Sequence, residues 1–120
     1  MKCMFGTFST AYPYWAQIGP VYHKEIDTRI YDVNATRLVR EKFVLHVGDA
    51  LVCMKARGPA GPADFEYGGI VFSKDPVAFD SVGVKIIREQ GTAIEFSEFM
   101  RMGQAKGLGI LDLDKIKIEI

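Results

Sequence analysis

Cysteine and histidine are scarce: Cys3, Cys53, His23 and His46 are the only residues of those types in 120. Two cysteines fifty positions apart form no CxxC pair, so this chain by itself cannot offer four thiolates to a zinc or iron–sulfur centre. Cys53, inside the apolar stretch 50–54, reads as a small buried hydrophobe. Charge of one sign is also missing, since fifteen basic residues balance fifteen acidic ones. That balance leaves no basic footprint and excludes nucleic acid and anionic membrane as expected partners. No run approaches the roughly 20 apolar residues that cross a bilayer. The opening MKCMFGTFSTAYPYW lacks the continuous apolar core and small-residue cleavage site of a secretory signal, so the expected address is the cytoplasm, where the thiols stay reduced. Nucleotide and hydrolase signatures are absent as well. No GxxxxGK[ST] precedes a helix, and AKGLGILD lacks a third glycine. Ser73, His23 and Asp49 make a triad on paper only, without GxSxG.

What remains is an ordinary globular composition, 48% apolar and 25% charged, of a length that suits one domain over 1–120. Residues 1–22 are irregular and rich in aromatics, glycine and proline. Ile26, Ile30 and Val33 then repeat at helical spacing, which predicts an amphipathic helix over 23–40. KFVLHVGD predicts a buried strand over 43–48. Asp49 is placed to cap two helical turns over 50–56, and 57–69, with Gly58, Pro59, Gly61 and Pro62, reads as a long loop. A second buried strand covers 70–72.

Asp75 before Pro76 predicts a helix start, with Phe79, Val82, Gly83, Ile86 and Ile87 on its buried face and Gln90-Gly91 at its end. A further helix is expected over 97–106, and the alternation of KIKIEI predicts a final edge strand over 115–120. Strands separated by helices point to an α/β fold with a small, largely parallel sheet flanked by helices. Three strands make a small sheet for 120 residues, which suggests part of a larger fold or an oligomer.

If the strands 43–48 and 70–73 run parallel, Asp49 and residues 73–75 emerge at one carboxyl edge, where open α/β sheets bind ligands. Gly58 and Gly61 would let the backbone approach that pocket. Asp49 and Asp75 could hold a divalent cation such as Mg²⁺, and Asp80, a turn into the helix, could orient them. Ser73 could hydrogen-bond a ligand, and Ser73 with Lys74 could contact a phosphate. His23 is the candidate general base, whereas His46, between Leu45 and Val47, reads as a packed sheet residue. The competing reading is that Asp49 and Asp75 only cap helices and Asp80 is solvated.

The motifs HVGDAL (46–51), RGPAGP (57–62), GGIVFSKDPVAFD (68–80) and GLGILDLDKI (107–116) resemble the carboxyl-terminal portion of the prokaryotic family called domain of unknown function 362. KCMFG at 2–6 is similar to that family's Lys-Asn-x-x-Gly, with Cys3 in place of Asn, and His23 and YDVN also fit. The resemblance implies a ligand or metal site built on Asp49, Gly58, Ser73, Asp75 and Asp80. It also implies a missing amino-terminal half in longer members and an association with ferredoxin-like segments that carry [4Fe–4S] clusters. A homo-oligomer, a partner chain supplying that half, or a ferredoxin-like partner is therefore expected. The alternative function is a non-catalytic interaction module, packing through Phe5, Phe8, Tyr12, Tyr14 and Trp15, or an accessory subunit of an iron–sulfur electron-transfer system.

Overall fold

The computed structural model describes Met1, residues 25–55 and residues 61–119; His23, Gly58, Cys3 and the aromatic opening lie outside them. In chain order the described residues form α1 (Ile26–Ala35), α2 (Arg37–Lys42), β1 (His46–Cys53), β2 (Phe65–Ser73), α3 (Pro76–Glu89), α4 (Glu98–Ala105) and a 3-10 turn (Leu113–Lys115). The result is a small mixed α/β domain.

The first helix is two helices because Thr36 is extended, with ψ 142. Its Oγ1 donates to the Val33 carbonyl at 2.8 Å and accepts from the Val39 N–H at 3.4 Å. One hydroxyl thus ends α1 and caps α2, the local competition with helix that makes Thr a cap residue.

The sheet corrects the expected topology. β1 and β2 pair antiparallel, with His46 opposite Ser73, Val47 opposite Phe72 and Asp49 opposite Ile70. The physical reason lies in the connection. Parallel neighbours need a crossover that usually contains a helix, whereas antiparallel strands join through a short loop. The two turns of helix expected over 50–56 do not exist in the described part of that span. The Asp49 carboxylate instead accepts from the Leu51 N–H two residues on, at 2.8 Å, and Ala50, Leu51, Val52 and Cys53 continue the strand. Likewise the long loop is shorter than read, because 65–69 is strand. Opposite Leu51, β2 carries the extra residue of a bulge, where Gly68 takes φ +78, a conformation that costs glycine little.

Among the described residues the expected closing strand does not form either. Asp112 accepts from the Asp114 N–H at 3.1 Å and starts the 3-10 turn, and residues 116–119 pair with no described strand. Alternation alone does not make a strand without a neighbour to bond.

The main core joins α1, α3 and α4 through Ile30, Val77, Val84, Phe99, Met100 and Leu111, with the Met1 side chain among them. The buried face of α3 is Val77, Ala78, Ser81, Val84 and Ile86, rotated from the expected one, so that Phe79, Val82, Gly83 and Ile87 are half-buried. Ser81 is tolerated inside because its hydroxyl donates to the Val77 carbonyl at 2.9 Å. Helix α4 takes its cap from another helix, since the Asp27 carboxylate accepts from the Phe99 N–H at 3.2 Å. Gly48 seats the hairpin on α3: a Cβ there would stand 2.6 Å from the Phe79 ring.

Candidate functional site

The stretch SKDPVAFD folds as a tight handover from β2 to α3. Ser73 Oγ accepts from the Asp75 N–H and donates to the Asp75 carbonyl, both at 3.0 Å. Asp75 Oδ1 accepts from the N–H groups of Val77 and Ala78, both at 2.8 Å. Its other oxygen accepts from the Ile110 N–H at 2.8 Å. One carboxylate therefore caps α3 and ties down the GLG loop 35 residues later. Gly109 has no side chain because Asp75 fills that space: a Cβ would stand 2.5 Å from Asp75 Cγ and overlap Oδ1.

The antiparallel ladder separates the residues expected at one carboxyl edge. Asp49 is exposed and three ladder positions from the His46–Ser73 pair. Asp80 Oδ2 lies 2.9 Å from the Met1 ammonium. Gly61 is half-buried and lines neither of two cavities found among the described residues. Gly58 and His23 fall outside the described residues. Among the described residues no three His, Cys, Asp or Glu side chains form a group that could hold a metal ion.

What the register does bring to Ser73 is His46. It is buried, its ring centroid 5.8 Å from that of Phe79. Burial lowers its pKa from the ordinary histidine value, helped by the positive Met1 amine and opposed by Asp80 and Asp75. The sign of the linkage follows from that depression. Near neutral pH both folded and unfolded histidine are uncharged. As pH falls below about 6.5 the unfolded chain takes up a proton that the native state resists, so stability drops. The thermal midpoint should fall from pH 7.5 to 5.5, and the fall should be shallower in His46→Gln. An identical slope in that variant would assign the pH dependence elsewhere.

Two cavities flank the handover. The larger, about 860 Å³, opens between the hairpin and the helices α3 and α4. Val71, Phe79, Val84, Phe99 and Met100 are among its mainly apolar lining, together with Cys53, Asp49 and Asp80. Cys53 is half-buried and carries a free thiol. The smaller, about 140 Å³, is polar and lies on the other side, where Asn34, Arg40, His46, Lys74, Gly107 and Leu108 meet. Asn34 is held in place, its amide donating to the carbonyls of Met1 and Ile30 at 3.0 and 2.7 Å. From the sequence His46 reads as a packed sheet residue, and no local signal marks Arg40. The only signal for Asn34 was its position in YDVN.

The chain belongs to the family described as Domain of unknown function (DUF362), whose model matches residues 1–85. The match takes in HVGDAL, RGPAGP and SKDPVAFD and stops short of the GLG loop. Comparison with curated proteins and with solved structures returned no match. No helix among the described residues is long and apolar enough to cross a membrane.

Proposed function

We propose that this domain is a ligand-binding module whose site is the polar recess beside the β2–α3 handover. The observation that carries the reading is convergence. Asn34 from YDVN, His46 from HVGDAL, Lys74 and Pro76 from SKDPVAFD, and Gly107 and Leu108 from the GLG loop all line one small cavity. Helix capping accounts for Asp75 and Gly109, but it gives no reason for four distant motifs to share a recess. The cavity is well below the roughly 300–1,000 Å³ of drug-sized sites, so it takes a small group and leaves the remainder of a larger ligand outside. The cation reading of Asp49 and Asp75 is the rival for the same region, and MgCl₂ belongs in the test for that reason. Amide shifts would be followed by NMR while the chain is titrated with phosphate, acetate, glycerol and MgCl₂. Shifts concentrated at Lys74, Gly107 and Leu108 with one of these probes support the recess. Shifts confined to the apolar cleft or to Asp49, or none at all, overturn it.

The hairpin favours a second reading, an interaction module. Val47, Leu51, Ile70 and Phe72 are 46–61% exposed, and Val47 and Phe72 stand directly opposite each other in the ladder. Two strands alone are marginal in water, and contiguous exposed apolar residues mark interfaces. A homo-oligomer built on this face should sediment as such and shift to monomer in Phe72→Lys. A wild-type monomer at high concentration would rule out self-association and leave only a different partner chain.

A further inference from the structure

We infer that the recess takes a small oxyanion, a phosphoryl or sulfuryl group rather than a carboxylate, a neutral polyol or a cation. This rests on the ligand-binding reading above and adds the chemical class. The lining includes two permanently charged donors, Arg40 and Lys74, and a histidine, and it includes no carboxylate. Both cations are exposed, and among the described residues neither is ion-paired. Two positive side chains lining one small hollow favour an anion between them. The side-chain types favour a particular shape of anion. An Arg fork can engage two oxygens of one group, and a Lys ammonium adds a third contact as a point charge. A carboxylate has only two oxygens to share, while a tetrahedral oxyanion has one for each donor and one left to carry an organic substituent out of the recess. The first free N–H groups of α3 contribute little, because Asp75 already accepts from them.

Arg40 comes from α2 and Lys74 from the handover, so an anion between them would tie the helical pair α1–α2 to the hairpin. The inference therefore expects anion binding to stabilise the fold as well as to occupy the recess.

The experiment compares inorganic phosphate, sulfate, glycerol 3-phosphate, acetate, glycerol and MgCl₂ at constant ionic strength. Binding is measured by calorimetry and by amide shifts in the wild type, Arg40→Gln, Lys74→Gln and the double variant. Both side chains are exposed and unpaired, so the variants should keep the wild-type melting temperature without ligand. The expected result is that phosphate or sulfate binds and shifts Lys74, Gly107 and Leu108. Each single variant should weaken that binding about tenfold and the double variant should abolish it. Tighter binding of glycerol 3-phosphate would assign a phosphomonoester as the ligand, and equal binding would assign the free anion. Acetate, glycerol or MgCl₂ shifting the recess amides while phosphate and sulfate do not would overturn the oxyanion inference and leave the recess reading intact. Phosphate binding that survives in the double variant would overturn it too. No response to any probe would remove both.

Discussion

Gly109→Ala should be the most damaging single-methyl change in the domain. It is expected to cost about 3 kcal/mol and to lower the melting temperature by about 12 °C. The added carbon would overlap Asp75 Oδ1, so either the GLG loop or the Asp75 side chain must move. Either movement breaks contacts that hold α3. If the loop retreats, the bond from the Ile110 N–H is lost; if the carboxylate rotates, the N–H groups of Val77 and Ala78 lose their acceptor. Thermal or denaturant unfolding measures the cost directly. Because the clash is with one side chain, the effect should shrink when that side chain is removed. Gly109→Ala made in an Asp75→Ala background should cost less than it does in the wild type. Equal costs in both backgrounds would mean that the loop yields elsewhere and that Asp75 is not what excludes a side chain at position 109.

Asp75→Ala should itself destabilise by about 2–3 kcal/mol, since it removes a helix cap and a long-range tie together. Asp75→Asn separates the two. The amide keeps an oxygen for Val77 and Ala78 but presents N–H to the Ile110 N–H, so only the tie is lost, at about 1 kcal/mol. Urea unfolding of the two variants gives both numbers. An Asn variant as damaging as the Ala variant would show that the charge on the capping carboxylate, and not the tie to the loop, dominates. Neither variant alters the recess lining, which does not include Asp75. Phosphate binding, corrected for any unfolding, should therefore survive Asp75→Asn and weaken about tenfold in Arg40→Gln.

Much of the helical structure was legible because its signals are local. Asp75 before Pro76, the stop at Gln90-Gly91 and the start after Ser97 are each set by a few neighbouring residues. The helices appear where those signals put them, at Pro76–Glu89 and Glu98–Ala105. Thr36 carried a signal too, a cap residue inside a periodic stretch, but helical spacing on both sides obscured it. The strands were harder. Ala50, Leu51, Val52 and Cys53 after an Asp suit a capped helix as well as a strand, and only pairing with β2 decides between them.

The candidate site shows the same division. Ser73, Lys74 and Asp75 stand at the junction of strand and helix that their sequence predicts, yet a parallel sheet gives them the wrong neighbours. In that arrangement Asp49 would stand beside Ser73. Reversing one strand replaces Asp49 with His46 and moves the cleft to the other side of the handover. Strand direction goes with the ladder that sets His46 opposite Ser73 and with Phe79 packing against Gly48, contacts between residues far apart in the chain. The amino-acid sequence by itself determined the family, the helix start at Asp75-Pro76 and the balanced charge, because composition and capping act over a few residues. Only the tertiary structure decided that the hairpin is antiparallel, that Asp75 holds the GLG loop, and that Arg40 and Lys74 face one recess, because each depends on how distant segments pack.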